Sequence, residues 1–145
     1  MDPDSQPSRF SGVGKVLGRE ALDHLAAAHA CVIGIGGVGS WAAEALARTG
    51  VGEITLIDLD DICVHNINRQ IHAATSSVGR LKVDVMAARI LDINPGCRVH
   101  PEAAFLTPKT ADHLLARPYG VVVDGSTGPG QGPHPGRLPA AAYPR

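Results

Sequence analysis

The sequence has few aromatic residues and no strong excess of either charge. Its 145 residues include one tryptophan, two tyrosines and two phenylalanines, which argues against a surface that stacks nucleic-acid bases. A formal net charge of −1 gives no sign of the broad basic field that attracts nucleic acids or membranes. No apolar run approaches the length of a membrane span and no signal-peptide pattern opens the chain, so a cytoplasmic protein is expected.

Cysteine is also scarce, since Cys31, Cys63 and Cys97 lie far apart and form no CxxC motif. This spacing predicts small buried hydrophobic groups in a reduced compartment and not a disulfide framework or a zinc site. Cys63 falls in a predicted loop and is the only one of the three that we consider as a reactive thiol. The length is that of one domain with a hydrophobic core.

The most informative stretch joins two apolar runs, at 30–33 and 54–57, through the glycine-rich segment GIGGVG at 34–39 and a helical segment at 40–49. The second run ends on Asp58. Strand, glycine turn, helix, strand and acid within about thirty residues are typical of a βαβ nucleotide-binding unit. Glycines at the turn permit close backbone approaches, and Gly39 allows the helix to pack tightly on the strand. Free amides at the helix start would face a phosphate, and Asp58 would accept hydrogen bonds from ribose hydroxyls.

The remaining pattern predicts an α/β protein with a Rossmann-like, doubly wound, mostly parallel sheet. Trp41 is expected in the core. Val121 to Val123 read as a buried parallel strand that ends on Asp124, at the edge of the sheet where such folds bind ligands. Other predicted elements are a short helix at 19–28, a helix at 78–93 capped by Ser76 or Ser77, a strand at 97–100, and a helix from Thr107-Pro108 to about 116.

A long polar connection at 59–77 separates the second strand from the next helix. Long ordered loops in compact α/β domains tend to be functional, and Arg69 could place its planar guanidinium on phosphate oxygens. Lys82 falls in the first turn of the predicted helix, where a cation is electrostatically disfavoured unless an anion lies nearby.

The composition divides the chain into three parts. Residues 1–8 are predicted to be a disordered N-terminus, and residues 9–124 form the nucleotide-binding part. Residues 125–145 contain five glycines and five prolines without apolar periodicity, so a disordered tail is predicted there. The sheet is therefore expected to stop after about the fourth strand, and a shifted reading frame after Asp124 would account for the break.

Several segments together resemble the E1-like adenylating enzymes, which include ubiquitin activators and the adenylyltransferases of thiamine and molybdopterin synthesis. They are the glycine turn, Asp58 and Asp60, the segment NINRQ at 66–70, and Lys82. The phrases GGVGSWAAEALARTG at 36–50 and NRQIHA at 68–73 resemble one branch most closely, the tRNA threonylcarbamoyladenosine dehydratases. The resemblance covers about residues 9–124, the N-terminal half of a typical member.

The resemblance implies an enzyme that binds ATP with Mg²⁺ and forms a homodimer. Its substrate would be a tRNA with threonylcarbamoyl adenosine at position 37, whose carboxylate is adenylated and then closes into a ring. A sulfur-transfer partner protein is a further expectation from this resemblance. By residue-wise analogy, Arg69 and Lys82 would be catalytic by assisting departure of pyrophosphate, and the ATP-binding set would be Gly34, Gly36, Gly37, Gly39, Asp58, Asp60, Asn66, Arg69 and Lys82.

Asp124 is the implied magnesium ligand, but the chain departs from the family at the second acidic position. Thr127 stands there, and a hydroxyl is a weaker magnesium ligand than a carboxylate. The resemblance therefore predicts a truncated and impaired dehydratase.

Three alternatives stay open. An NAD-binding oxidoreductase domain shares the opening βαβ unit, although Arg69 and Lys82 suit a triphosphate better than a nicotinamide. An adenylyltransferase for a ubiquitin-like sulfur carrier shares the adenylation residues, although its bacterial members often carry paired CxxC motifs that are missing here. A non-catalytic nucleotide-binding module would retain only the glycine turn and a dimer surface.

Overall fold

A computed structural model describes residues 9–126, and the structural statements below concern this part of the chain. The predicted disordered N-terminus at 1–8 and Thr127 lie outside the described residues, as does the predicted tail from 127 onwards. Gly125 and Ser126, which the composition assigned to the tail, are described. The amide of Gly125 donates a hydrogen bond to the carbonyl oxygen of Ile33 at 2.8 Å, so the chain is still held against the sheet at this point.

The described residues form a parallel sheet with helices packed on it. The helices are α1 (Ser11–Leu17), α2 (Arg19–Ala27), α3 (Gly39–Thr49), α4 (Lys82–Ile93) and α5 (Ala111–Leu114). The strands are β1 (His29–Ile33), β2 (Glu53–Ile57), β3 (Arg98–Glu102) and β4 (Val121–Asp124). Short 3₁₀ turns lie at Val64–Asn66 and Thr75–Ser77. A helix able to cross a bilayer is absent from residues 9–126.

The strand order is β3-β2-β1-β4, and every neighbouring pair is parallel. The chain therefore builds outward from β1 to β3 and then crosses to the other side of β1 to form β4. This change of direction places a topological switch point between β1 and β4, where open α/β sheets bind ligands. The predicted α/β, Rossmann-like parallel sheet is confirmed.

Side chains alternate between the two faces of the sheet, because successive residues of a strand point in opposite directions. One face packs against α3 and α4, and the fully buried side chains at this interface include Val32 and Leu56 from the strands and Val83, Met86 and Ile90 from α4. The opposite face has a smaller core made by Cys31, Ile33, Ile57, Leu106 and Leu114. Burial of each such aliphatic side chain contributes about 1.5–3 kcal/mol. The prediction of buried cysteines is confirmed for Cys31 and Cys97 and is wrong for Cys63, which is exposed because it lies in the polar connection after β2.

The helix predicted from residue 78 begins at Lys82, and neither serine caps it. Leu81, the residue before the helix, is extended and forms a bridge with Asp61, which delays the helix start. Ser77 caps the preceding 3₁₀ turn instead, because its Oγ accepts a hydrogen bond from the amide of Ala74 and donates one to the carbonyl of His72, both at 2.8 Å. Lys82 is nevertheless in the first turn, as predicted.

Two further burial predictions were wrong. Trp41 is 51% exposed, because Ala43 and Ala47 face the sheet and turn position 41 outward, and its indole N–H donates to the carbonyl of Arg69 at 2.8 Å. Val121 is 42% exposed, since β4 has no further strand beside it among the described residues. Its parallel pairing was predicted correctly. The strand expected at 97–100 is Arg98–Glu102, and the helix expected from 107 shortens to Ala111–Leu114.

A buried carboxylate joins the two helices on the main face. Glu44 on α3 is 5% exposed and makes a bidentate ion pair with Arg89 on α4, with Nη2 to Oε1 at 2.9 Å. Arg48 donates to the same carboxylate at 2.8 Å. Burial raises the pKa of Glu44, but hydrogen bonds from the two arginines outweigh that effect, so its pKa lies below the ordinary value. The pair should therefore stabilise the fold only while Glu44 is ionised.

We expect Glu44→Gln to lower the free energy of unfolding by about 1–3 kcal/mol at pH 7, since it removes charge-assisted hydrogen bonds. The ionised pair is fully present above the ordinary glutamate pKa and is lost as pH falls through the lowered pKa of the folded state. The difference between parent and variant, measured by urea unfolding, should thus shrink progressively below about pH 4.5. Asp23→Asn, at an exposed position on α2, is the control and should change stability by less than about 0.5 kcal/mol. A pH-independent difference would contradict the assignment.

Candidate functional site

A cavity of about 730 Å³ opens at the carboxyl ends of β1 and β2, next to the switch point. Its wall comes from four parts of the chain: the glycine turn after β1, the end of β2, the polar connection at 59–77 with Lys82, and the loop after β3. Gly125 and Ser126 close the side next to β4. This volume is within the range of sites that enclose a small molecule, about 300–1,000 Å³.

The glycine turn is built by backbone contacts that a side chain would prevent. Gly34 has φ +76°, a left-handed conformation that favours glycine. A Cβ at Gly39 would lie 1.7 Å from the carbonyl oxygen of Gly34, and one at Gly125 would lie 2.8 Å from the amide nitrogen of Gly39. The start of α3, the end of β1 and the end of β4 therefore meet backbone to backbone. Gly39 is buried beneath this junction and does not line the cavity, whereas Gly34, Gly36 and Gly37 do.

The turn immediately before α3 has unpaired amides beside the cavity. Within residues 9–126, the backbone amides of Gly36, Gly37 and Val38 have no hydrogen-bond acceptor, and all three residues line the cavity. The first amides of a helix lack intrahelical partners and carry the positive end of the helix dipole. The turn is therefore suited to binding an anion such as a phosphate.

Asp58 fixes the turn to the end of β2. Its carboxylate is 9% exposed, with Oδ2 accepting a hydrogen bond from the amide of Ile35 at 2.6 Å and Oδ1 accepting one from the amide of Asp60 at 2.8 Å. Each oxygen keeps a second lone pair, and Asp58 lines the cavity. The carboxylate is thus held in one orientation and can still accept hydrogen bonds from a ligand.

Arg69 and Lys82 line the same cavity as the glycine turn. The side-chain carbons of Arg69 lie over Gly37, where a Cβ would be 3.6 Å from them, and its Nη1 donates to the carbonyl of His65 at 3.0 Å. Lys82 is 6% exposed, and its Nζ lies 3.5 Å from Oδ2 of Asp60. The structure therefore brings together two cations and the unpaired amides around one space.

The other predicted site residues have different positions. Asn66 lines the cavity and is 5% exposed, and its Oδ1 accepts a hydrogen bond from the amide of Cys63 at 2.9 Å, which shapes the polar connection. Asp60 also lines the cavity, with its side chain 58% exposed. Asp124 does not line it. Its Oδ1 accepts hydrogen bonds from the amide and the hydroxyl of Ser126, so this oxygen is turned towards its own loop.

Three residues around this site had no predicted role. Gln70 lines the cavity, and its buried Oε1 has no hydrogen-bond partner among the described residues. His72 is 4% exposed and contacts the carbonyl of Ile35 through Nε2 at 2.7 Å. Burial and the charge of Lys82 lower the pKa of His72, which keeps its ring neutral near pH 7. Phe105 lines the cavity from the loop after β3, at the edge of the sheet where open α/β folds bind ligands.

The family model for the ThiF family matches residues 11–126. The chain is 54% identical over 121 residues to the tRNA threonylcarbamoyladenosine dehydratase of Escherichia coli, a match that covers 83% of this chain and 45% of that protein. It is 50% identical to the Haemophilus influenzae dehydratase, over 83% of this chain and 46% of that protein. The crystal structure of the E. coli dehydratase in complex with ATP superposes with a TM-score of 0.85 at 53% identity, covering 86% of this chain and 51% of that one. The chain thus spans about half the length of these relatives.

The thiol of Cys63 can report on the cavity, because Cys63 lines the cavity and is exposed. Burial raises the pKa of Cys31 to about 12 and that of Cys97 to about 11. Since the thiolate is the reactive form, we expect iodoacetamide at pH 8 to modify Cys63 and to leave the other two unmodified on the same timescale. Peptide mapping by mass spectrometry measures this, and the chain unfolded in guanidinium, in which all three should react, is the control. Equal modification of Cys31 and Cys63 in the folded chain would contradict the structure.

Proposed function

The chain belongs to the ThiF family, and from that premise we propose that it is the ATP-binding half of a tRNA threonylcarbamoyladenosine dehydratase. The observation that carries the proposal is the convergence of unpaired glycine-turn amides, Arg69 and Lys82 on one cavity. The identity of half or more of the aligned residues to two dehydratases supports a tRNA substrate. It also favours this function over an NAD-dependent oxidoreductase and over an adenylyltransferase for a sulfur carrier.

We assign the triphosphate of ATP to the amides of Gly36 and Gly37 and to the two cations. Asp58 would accept hydrogen bonds from the ribose hydroxyls through its remaining lone pairs. Asp60 and Asn66 would border the nucleotide, and the apolar wall that includes Ile57 and Phe105 is the part of the cavity suited to the base. The nucleotide would then run from the apolar wall to the start of α3, with its charge at the helix N-terminus.

In the proposed reaction, a carboxylate oxygen of the threonylcarbamoyl group attacks the α-phosphorus of ATP. The bond from that phosphorus to the bridging oxygen breaks, and pyrophosphate leaves with the bonding electrons. Arg69 and Lys82 would stabilise the negative charge that develops on the leaving group, and positioning and charge stabilisation supply most of the catalysis in such transfers. A nitrogen or oxygen of the carbamoyl group would then attack the activated carboxyl carbon and lose its proton to solvent. AMP would leave with the electrons of the broken C–O bond and carry the carboxylate oxygen, so that the ring closes with formal loss of water.

Magnesium is the ion that the family resemblance implies, and the described residues offer one carboxylate for it. Oδ2 of Asp124 makes no hydrogen bond to another described residue, and the adjacent Gly125 and Ser126 line the cavity. One carboxylate together with phosphate oxygens and water is a common magnesium ligand set. Bound at this rim, Mg²⁺ would neutralise phosphate charge. Thr127 lies outside the described residues.

The family resemblance also leads us to propose a homodimer and a sulfur-transfer partner protein. Because the 145 residues span about half the length of the dehydratases, we infer two properties of these residues by themselves. They bind ATP poorly, and they convert modified tRNA slowly, as an impaired copy would. Conversion of threonylcarbamoyl-modified tRNA at a rate typical of an intact dehydratase, measured by mass spectrometry of the digested tRNA, would overturn the second part of this inference.

We expect Arg69→Gln and Lys82→Met each to weaken ATP binding at least tenfold, about 1.4 kcal/mol, while AMP binding changes by less than threefold. The physical reason is that both cations are assigned to the β- and γ-phosphates, which AMP lacks. Isothermal titration calorimetry with ATP–Mg²⁺ and with AMP measures both affinities. Arg80→Gln and Lys15→Met are matched controls, because both side chains are exposed and neither lines the cavity. Thermal unfolding without ligand would show whether Lys82→Met alters the fold.

An equal loss of ATP and AMP affinity would contradict the assignment of the cations to the terminal phosphates. Thermal stabilisation by NAD but not by ATP–Mg²⁺ would favour the oxidoreductase alternative. ATP binding without pyrophosphate exchange in a chain that includes the dehydratases' second half would favour the non-catalytic module.

As an independent test, saturating ATP should slow alkylation of Cys63 at least fivefold, because the thiol lines the cavity that the nucleotide would fill.

A further inference from the structure

On the opposite face of the sheet from α3 and α4, we propose that His29, Glu53 and His100 form a binding site for a divalent transition-metal ion, with Zn²⁺ as the probe. The three residues come from three adjacent strands. His29 and Glu53 are the first residues of β1 and β2, so the site lies at the end of these strands away from the nucleotide cavity.

The sheet register brings the three side chains together. His29 pairs with Glu53, and His100 pairs with Thr55. Because Glu53 and Thr55 are two positions apart on β2, all four side chains project from one face of the sheet. Oε1 of Glu53 lies 3.8 Å from Nδ1 of His29 and 2.7 Å from Nε2 of His100. One donor atom from each residue falls within 4.8 Å of the other two.

The donor set is one that transition metals prefer. Two imidazole nitrogens and one carboxylate oxygen hold zinc in many proteins, with metal–ligand bonds of about 2.0–2.1 Å. Tetrahedral coordination with such bonds places ligand atoms about 3.3–3.4 Å apart. The observed separations of 2.7 and 3.8 Å lie on either side of this value. The side chain of His100 is 31% exposed and has room to shift outward by the required fraction of an ångström.

Neighbouring polar groups already orient two of the ligands. Nε2 of His29 lies 2.9 Å from the hydroxyl of Thr55, a residue only 1% exposed. In the tautomer in which Nε2 donates to that hydroxyl, Nδ1 directs a lone pair towards Glu53. Oε2 of Glu53 accepts a hydrogen bond from Arg98 at 2.7 Å, which leaves Oε1 for the two histidines. Metal-bound histidines and carboxylates commonly have such partners outside the coordination sphere.

An ion at this position would have three protein ligands and a fourth site open to water, because both His100 and Glu53 reach the surface. It would also clamp β1, β2 and β3 together at their starts. Without an ion, the same residues form an ion-pair cluster in which Glu53 is shared by Arg98 and His100. The experiment must therefore distinguish a metal site from a purely electrostatic cluster.

The test uses the untagged 145-residue chain with Cys63→Ser, which removes the exposed thiol, after dialysis against a chelator. Isothermal titration calorimetry should show one Zn²⁺ per chain, and zinc should raise the melting temperature. We expect His100→Gln and Glu53→Gln each to weaken zinc binding at least tenfold. His24→Gln, at an exposed position on α2, is the matched control and should bind zinc like the parent. Co²⁺ should give the intense visible absorption of low-symmetry coordination in the parent and lose it in His29→Gln.

Zinc binding that is unchanged in both His100→Gln and Glu53→Gln, or no zinc binding in the parent, would overturn the proposal. If a variant fails to fold by circular dichroism, the cobalt spectrum of the parent decides, since an octahedral aquo-like spectrum would exclude the three-ligand site. The site does not depend on the proposed dehydratase function. ATP affinity measured in His100→Gln should equal that of the parent, so the two proposals can fail separately.

Discussion

The structure depends on a backbone contact that only glycine permits. The carbonyl of Gly34 lies where a Cβ of Gly39 would be, and the amide of Gly39 lies 2.8 Å from where a Cβ of Gly125 would be. This contact lets α3 start directly beside the ends of β1 and β4, so that the turn amides just before the helix border the cavity at the switch point. A side chain at either position would separate helix and strand and remove the anion-binding geometry, even if every charged residue stayed in place.

The same junction positions the charged groups around the cavity. Asp58 joins the glycine turn to β2 through two backbone amides, and the same segment continues to Asp60, which contacts Lys82. The buried ammonium of Lys82 therefore has one exposed carboxylate as its partner and would gain from a bound polyanion. His72 stays neutral beneath the turn, because burial and Lys82 lower its pKa. Under the proposed function, backbone amides and two cations would together hold the phosphates of ATP.

The two ends of the sheet carry different chemistry. The carboxyl ends of the strands meet the amides and cations that suit phosphate, whereas the starts of β1 and β2 carry His29 and Glu53, whose donor atoms suit a metal ion. The separation follows from the parallel arrangement, because all strands end at one edge and start at the other. A ligand bound at one edge therefore makes no direct contact with a ligand bound at the other edge.

Local features can be read from the amino-acid sequence alone: the glycine turn, the acid that follows β2, Lys82 in a first helical turn and the parallel βαβ order. Each is encoded within a few residues, either by glycine's lack of a Cβ or by apolar periodicity. Packing between distant segments sets three further features: Trp41 faces outward, β4 is partly exposed, and Gly39 lies beneath the cavity and not in its wall. It also decided that His29 and His100, far apart in the chain, share Glu53. Helix rotation and strand register set these contacts, and both are fixed by packing between distant segments, which no local pattern records.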